Sequence, residues 1–175
     1  EKYFQPSFSK ALNVPLIKND GDTSYTRDIL WVHGQLNGDP VHVFVNHWPS
    51  RYGGQKASNY LREKAASVAA HVIDSLLEED AETKILLMGD LNDDPINSSV
   101  TKVLGAKSQE KKIKDGELFN PWMESYKKGI GTLAWRDAWN LFDQIILSSE
   151  FLDRDDTGLF FYKAEIFNKS FLIRS

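Results

Sequence analysis

The sequence predicts a mixed α/β fold, and three stretches of the chain support this prediction. Asn37-Gly38 separates two stretches rich in apolar residues, and Asn-Gly is the strongest short-range signal for a β-hairpin. Residues 59–77 repeat apolar side chains at the spacing of an amphipathic helix. Residues 85–88 form a continuous apolar run, which is too short for a helix and suits a strand buried on both faces.

Composition excludes several classes of function. The chain has 175 residues, 41% hydrophobic and 26% charged, which is ordinary for one globular domain with a core. Its net charge of -4 excludes a global basic field for nucleic-acid binding, although a metal ion can reverse the charge locally. The absence of cysteine excludes disulfides and thiolate metal sites. No apolar run reaches membrane-spanning length, and no signal peptide is visible.

Two strands flank the Asn-Gly turn. The first is predicted over residues 25–36 and the second over residues 41–47, where His47 falls at the exit and Pro49 ends the strand. Alternation places the second strand's valines on one face and its other side chains on the opposite face. The first set is Val41, Val43 and Val45, and the second is His42, Phe44 and Asn46.

The predicted helix over residues 59–77 has one apolar stripe. Polar residues, including Arg62 and Glu63, fall away from that stripe, and His71 lies off it and is expected to be solvated. The stripe consists of Leu61, Ala65, Val68, Ala69, Val72 and Leu76.

The apolar run 85–88 ends in a cluster of polar oxygens. Gly89 breaks the run, and Asp90, Asn92, Asp93 and Asp94 follow within five residues. Open α/β proteins place ligand sites at such strand ends, and these oxygens suit a hard cation such as Mg²⁺ and the phosphate it neutralises. An Asx-rich turn with no ligand explains the same pattern equally well.

The remaining elements are predicted from short patterns. Residues 97–104 read as a short helix, 132–135 as a strand, 141–148 as a buried strand and 159–167 as a last strand. Asp143 interrupts the run 141–148, and a buried carboxylate is costly unless it is paired. We therefore expect Asp143 to have a histidine or arginine partner.

Three polar signals thus fall at strand ends. They are the Asn46-His47 pair, the Asp90–Asn92 cluster and Asp143. Each has a structural explanation alone, but together they provide metal-binding oxygens, a group to activate water and a donor for a phosphate.

The motifs around these residues resemble the endonuclease/exonuclease/phosphatase superfamily. They are NHWPSR at 46–51, MGDLNDDP at 88–95, and the stretch 131–148 that ends in FDQIILS, with support from YTRDIL at 25–30. The superfamily contains deoxyribonucleases, apurinic endonucleases, bacterial sphingomyelinases and inositol-polyphosphate phosphatases. The resemblance therefore implies a Mg²⁺-dependent phosphoric-ester hydrolase in which water attacks phosphorus in line, with Mn²⁺ as an alternative ion.

The resemblance also implies a role for each matching residue. His47 matches the histidine that stabilises the scissile phosphate, and Asp90 the aspartate that orients or deprotonates the attacking water. Asn92 matches the asparagine that positions the nucleophile or a phosphate oxygen, and with Asp90 it is the expected metal ligand. Asp143 matches the aspartate that orients a second catalytic histidine.

Substrate contacts are expected from a cation and an aromatic side chain. Arg51 reaches a substrate phosphate in one interpretation and has a surface role in the other. Trp135 and Trp139 either wall the cleft and stack on a base or sugar, or pack in the core. The substrate is a phosphate ester, with nucleic acid, a phospholipid and a small phosphodiester all left open.

The resemblance further predicts how much of the fold is present. The family fold is a four-layer α/β sandwich with mostly antiparallel or mixed sheets and flanking helices, and we expect residues 1–175 to be a single, truncated domain of this type. The N-terminal metal-binding glutamate and the terminal Ser-Asp-His motif of the family have no match. The alternative interpretation is a non-catalytic half-domain or interaction module. In either case we expect self-association, or a partner that covers the missing sheet.

Overall fold

The computed structural model describes residues 3–17, 23–135, 138–154, 158–167, 169 and 171. Within these residues a six-stranded mixed sheet and two α-helices confirm the predicted α/β class. The helices are α1 (Gln55–Glu79) and α2 (Trp122–Lys127). The strands are β1 (Phe4–Leu12), β2 (Pro15–Ile17), β3 (Thr23–Tyr25), β4 (Ile29–Leu36), β5 (Asp39–His47), β6 (Ile85–Asp90), β7 (Leu118–Phe119), β8 (Leu133–Trp135), β9 (Ala138–Asn140) and β10 (Asp143–Ser148).

The strand order of the main sheet is β1-β4-β5-β6-β10-β7. Its neighbours pair antiparallel except β5 and β6, which are parallel. A parallel pair needs a long crossover, and helix α1 provides it. Two small hairpins, β2–β3 and β8–β9, lie outside this sheet.

The hairpin predicted at Asn37-Gly38 joins β4 to β5. Both turn residues have positive φ, 53° and 99°, as a turn matched to the right-handed twist of the strands requires. The strand predicted from residue 25 begins only at Ile29, because Tyr25 ends the short strand β3.

One face of the sheet packs on α1. Trp31, Phe44, Leu87 and Ile146 lie next to one another across four strands. The last three belong to the main core cluster, and Trp31 packs against it. The buried face of α1 is rich in alanine, which lets the helix approach the sheet closely. Its buried residues are Ser58, Arg62, Ala65, Ala66, Ala69, Ala70, Ile73 and Leu77.

The helix prediction is confirmed, but three of its details are corrected. The helix extends beyond residues 59–77 at both ends, and four residues of the predicted stripe are only half-buried, namely Leu61, Val68, Val72 and Leu76. Arg62, which was predicted to face away from the core, is fully buried. The cause is an ion pair with a buried carboxylate, which helical periodicity cannot reveal. His71 is exposed, as predicted.

The opposite face of the sheet is covered only in part. Val41, Phe119, Leu147 and Phe151 form a second core cluster, on which Leu159 and Phe161 pack. The last strand predicted over 159–167 is therefore wrong: this segment lies on the face of the sheet instead of pairing with a strand. The short helix predicted over 97–104 is a π-helical turn, Ser99–Val103.

Part of this second face is exposed and apolar. Leu30, Val45, Met88 and Ile145 lie directly opposite one another across β4, β5, β6 and β10. They are 44%, 40%, 36% and 41% exposed, and we call them the open row.

No helix in the described ranges is long and apolar enough to cross a membrane.

Candidate active site

The candidate site lies at the edge of the sheet where β5 and β6 end and β10 begins. In the strand register, Asp90 of β6 is opposite His47 of β5 on one side and opposite Asp143 of β10 on the other. Because side chains alternate along a strand, all three lie on the face that bears the open row. The structure therefore brings together three of the four residues that the sequence predicted to be catalytic.

His47 and Asp90 face each other across the parallel pair. His47 Nε2 lies 3.6 Å from Asp90 Oδ2, and the two side chains are 47% and 37% exposed. At this distance and exposure the contact contributes little to stability, so both groups remain accessible to a ligand.

Asn92, the fourth predicted residue, is fixed by the turn that follows β6. Its backbone N–H donates to Asp90 Oδ1 at 2.9 Å, and its Nδ2 donates to the carbonyl of Trp48, also at 2.9 Å. Its φ of 49° lies in the left-handed region, which asparagine tolerates better than most residues. Asp90 Oδ2 and Asn92 Oδ1 are thereby left on the site side without a hydrogen bond from any described residue.

Gly89 and Asn46, to which the sequence analysis gave no catalytic role, hold this turn in place. Gly89 has a φ of 131°, and a Cβ there would stand 2.0 Å from the carbonyl oxygen of Asn46, so only glycine fits. Asn46 is buried, and its Oδ1 accepts a hydrogen bond from Trp48 Nε1 at 2.9 Å. Trp48 in turn presents its carbonyl to Asn92.

Asp143 differs from the sequence expectation. It was expected to be buried with a histidine or arginine partner, but it is the exposed first residue of β10. Thr132 Oγ1 lies 3.4 Å from its Oδ2, and no ion pair to Asp143 is found in the described part of the chain. A position at the end of a strand leaves the carboxylate hydrated, so the cost of burial that motivated the expectation does not arise.

Arg51 is engaged within the chain. Its Nη2 lies 2.9 Å from Asp94 Oδ2 and 3.4 Å from Asp93 Oδ1, and its Nε donates to the carbonyl of Asn92 at 2.9 Å. The guanidinium also lies over the ring of Phe142, 4.4 Å from the ring centroid. These contacts tie the loop after β5 to the turn that bears Asn92.

A second arginine lies beneath the same turn. Arg62 Nε is 2.7 Å from Asp93 Oδ1, with both side chains fully buried. Ser99 Oγ donates to the other oxygen of Asp93 at 2.7 Å. Burial raises the pKa of Asp93 above its ordinary value, and the Ser99 hydrogen bond and the two arginine charges oppose that rise.

The acidic residues after Asn92 serve the turn, as the structural interpretation of the sequence proposed. Asp94 Oδ1 accepts the backbone N–H of Leu141 at 2.8 Å, and Asn97 Oδ1 accepts that of Asp94 at 2.6 Å. The periodicity of apolar residues in the helix did not predict that Arg62 pairs with Asp93. The only available signal was a pair of adjacent aspartates before a proline, which indicates a turn but not its partner.

The side-chain oxygens at this edge of the sheet are of the type that binds a hard cation. Mg²⁺ is commonly held by one or two carboxylates with water and substrate phosphate, and Asp90 Oδ2 and Asn92 Oδ1 are oxygens of that kind. Among the described residues no group of three or more histidine and carboxylate side chains is arranged to hold a metal ion. Asp90 and Asn92 would therefore be only part of a coordination shell.

The two tryptophans differ in what the structure describes. Trp139 is 55% exposed on β9, so the interpretation that it packs in the core is wrong. The backbone of Trp135 belongs to β8, but its side chain lies outside what the structure describes. The prediction that Trp135 contacts substrate stays a prediction.

Comparison with known proteins gives a family and a fold. The sequence model of the Endonuclease/Exonuclease/phosphatase family matches residues 1–175. Similar solved structures include truncated Caenorhabditis elegans TDP2, 14% identical with a TM-score of 0.56, which covers 85% of this chain and 54% of that one. The catalytic domain of human Nocturnin, with a bound sulfate anion, is 13% identical with a TM-score of 0.56 and covers 85% and 49%.

A family protein from Bacteroides thetaiotaomicron is 16% identical, with a TM-score of 0.50 and coverage of 84% and 51%. At these identities the likeness concerns the fold alone. The chain spans about half the length of the solved structures it matches. No curated protein matches the sequence.

Proposed function

The chain belongs to the endonuclease/exonuclease/phosphatase family, and from that premise we propose that it provides the catalytic edge of a phosphoric-ester hydrolase. One observation supports this most: His47 and Asp143 lie directly opposite Asp90 in adjacent strands, on one accessible face. A hydrolase of phosphate esters needs a group to accept a proton from water and a donor for the phosphoryl oxygen, and this edge offers both.

Asp90 is the proposed general base. Its Oδ1 is held by the N–H of Asn92, which leaves Oδ2 to accept a proton from water. The water oxygen forms the new bond to phosphorus, the ester P–O bond breaks, and the departing alcohol takes a proton from solvent. Positioned general bases of this kind typically accelerate a reaction by ~10²–10⁴-fold.

The other three residues are proposed to hold the phosphate and the water. His47 donates from its imidazole to a phosphoryl oxygen, and Asn92 positions the nucleophile or a second phosphate oxygen through its side-chain amide. Asp143 is proposed to orient a second catalytic histidine, as the family resemblance implies. For Arg51 we favour a positioning role, since its contacts to Asp94 and to the carbonyl of Asn92 support the turn and occupy its guanidinium.

Mg²⁺ is the proposed cofactor, with Mn²⁺ as an alternative. Asp90 and Asn92 would hold it through their side-chain oxygens, together with ligands from elsewhere. When bound, such an ion supplies a positive charge that stabilises the phosphate in the transition state. The substrate is proposed to be a phosphate ester of a nucleic acid, a phospholipid or a small diester.

The experiment is Asp90→Asn in the whole protein, assayed with Mg²⁺ against bis(4-nitrophenyl) phosphate. The amide keeps the size of the side chain and its hydrogen bond from Asn92 but cannot accept a proton from water, so kcat should fall ~10²–10⁴-fold. Asp115→Asn, in an exposed loop, is the matched control and should leave turnover unchanged. Near-normal activity of Asp90→Asn would remove Asp90 from the mechanism.

A second candidate function is that of an interaction module, and the open row favours it. Exposed contiguous apolar surface on a soluble protein commonly marks an interface. The open row lies on the same face as His47 and Asp90, so a partner or a second copy of this chain seated on it would also border the catalytic edge.

A further inference from the structure

A cavity of about 520 Å³ opens beside the candidate site, and Asn92 is the one residue with a proposed catalytic role among the described residues that line it. Its walls come from the loop after β5, the β8–β9 hairpin and the residue before β10. Its volume is in the range of pockets that take small organic ligands. Besides Arg51 and Asn92, its lining residues are Ser50, Tyr52, Leu133, Asn140 and Phe142.

Three of the lining residues present apolar or aromatic surface to the cavity, namely Tyr52, Leu133 and Phe142. Tyr52 is 92% exposed and Leu133 is 46% exposed. Single exposed apolar residues are common, but here they surround one concave site together with the ring of Phe142. The Arg51 guanidinium, stacked on Phe142, adds a second planar surface. A flat aromatic group is the ligand that such walls accommodate best.

The cavity also offers polar groups at its rim. Asn140 Oδ1 is 3.5 Å from Arg51 Nη1, while its Nδ2 has no hydrogen-bond partner among the described residues. The hydroxyl of Ser50 likewise has none within the described ranges. These two donors suit a planar ring with carbonyl or ring-nitrogen acceptors on its edge.

Charge argues against a second phosphate as the occupant. Arg51 is the one charged side chain among the described residues that line the cavity. Its charge is already balanced by Asp94 at 2.9 Å and Asp93 at 3.4 Å. Binding a further dianion would require a free cation, so the cavity is suited to a neutral group.

We propose that this cavity binds the planar, neutral, nucleobase-like group of a phosphate ester whose phosphate lies at Asp90 and Asn92. Asn92 joins the two sites, because it lines the cavity and also belongs to the catalytic edge. The inference rests on the proposed function and narrows its substrate to esters that carry an aromatic heterocycle.

The test compares two ligands of equal charge in the whole protein with Mg²⁺. Thymidine 5′-monophosphate carries a base and glycerol 3-phosphate does not, so their affinity ratio isolates the cavity. We expect the nucleotide to bind about tenfold more tightly, as base–aromatic stacking typically provides. Tyr52→Ala and Leu133→Ser should each bring the ratio close to one. Tyr60→Ala, at an exposed tyrosine of α1 outside the cavity, is the matched control and should leave the ratio unchanged.

The outcomes separate this inference from the proposed function. Equal affinity for the two ligands, no binding of either, or a preference that survives both cavity variants would overturn the cavity assignment. If the preference depends on Tyr52 and Leu133 but the protein does not hydrolyse bis(4-nitrophenyl) phosphate, the cavity stands and the proposed function fails. Both variants replace exposed side chains, and their melting temperatures should match the parent protein.

Discussion

At the residue scale, the buried pair Arg62–Asp93 determines how the turn after β6 is held. Arg62 extends from α1 and also donates to the carbonyl of Gln55 at 3.1 Å and to Ser58 Oγ at 3.0 Å. It thus connects the start of the helix to Asp93, which follows Asn92 directly. A buried pair of this kind costs desolvation and stabilises only while both partners are present.

Replacing one partner should therefore be severe. We expect Arg62→Ala to lower the free energy of unfolding by about 3 kcal/mol, the lower end for a broken buried pair. The buried Asp93 would lose its 2.7 Å contact with Arg62 and keep only Arg51 at 3.4 Å and the Ser99 hydrogen bond. Urea denaturation measures this loss. Arg154→Ala removes an exposed arginine that pairs with Glu110 at 3.3 Å, and should change stability by at most about 1 kcal/mol.

A double variant shows whether the loss comes from the unpaired charge. Arg62→Met with Asp93→Asn should recover part of the stability, since it removes both charges and leaves no unpaired ion. A double variant less stable than Arg62→Ala would contradict this explanation.

At the element scale, the β4–β5 hairpin contains a histidine that must stay neutral. Trp31 Nε1 donates to His42 Nδ1 at 3.0 Å, which requires that nitrogen to be unprotonated. His33 lies opposite His42, with ring centroids 4.4 Å apart. Burial, followed by the charge of His33, lowers the pKa of His42 from 6.5 to about 4.

The hairpin should therefore lose stability in acid. Because the folded pKa of His42 is below the unfolded value, the unfolded state binds more protons, and stability falls as pH drops from about 6.5 to about 4. Below that pH window, protonation of His42 causes no further loss of stability. Urea denaturation across the window should show a shallower pH dependence for His42→Asn, which does not titrate.

The matched control replaces a histidine outside the hairpin. His71→Asn changes an exposed histidine of α1 and should preserve the pH dependence of the parent protein. An unchanged pH dependence in His42→Asn would show that other groups cause the acid sensitivity.

At the scale of the whole molecule, the sheet is covered by α1 on one face and exposes the open row on the other. Leu30, Val45, Met88 and Ile145 form a continuous band because they are opposite one another in register. Burying such a band against another surface is favourable by roughly 25 cal/mol per Å² of apolar area. While the band is exposed to water, it favours association of the chain with another apolar surface.

We expect the 175-residue chain to self-associate in solution through this band. Light scattering should give a mass above that of one chain, and Met88→Lys, at the centre of the band, should shift the mass toward a monomer. Ile130→Lys, at an exposed isoleucine outside the sheet, should leave the mass unchanged. A parent chain that stays monomeric up to its solubility limit would contradict the prediction.

The sequence by itself determined the secondary structure with strong local signals and the identity of the candidate site. Asn37-Gly38 predicted the hairpin turn, and the run 85–88 predicted a strand broken at Gly89, which the structure extends to Asp90. Both are local properties of the backbone, so they can be predicted without knowing which distant residues they contact. The resemblance of the motifs at 46–51, 88–95 and 131–148 to the family implied His47, Asp90, Asn92 and Asp143 as candidate residues, which stay predictions.

Only the tertiary structure decided which residues meet. The exposure of Asp143, the burial of Arg62 and the position of residues 159–167 on a sheet face each depend on segments distant in sequence. Helical periodicity assigns a charged residue to solvent, because it cannot count the free energy of an ion pair with a carboxylate 31 positions away. Strand order likewise follows from packing, and it is the parallel pairing of β5 with β6 that places His47 opposite Asp90.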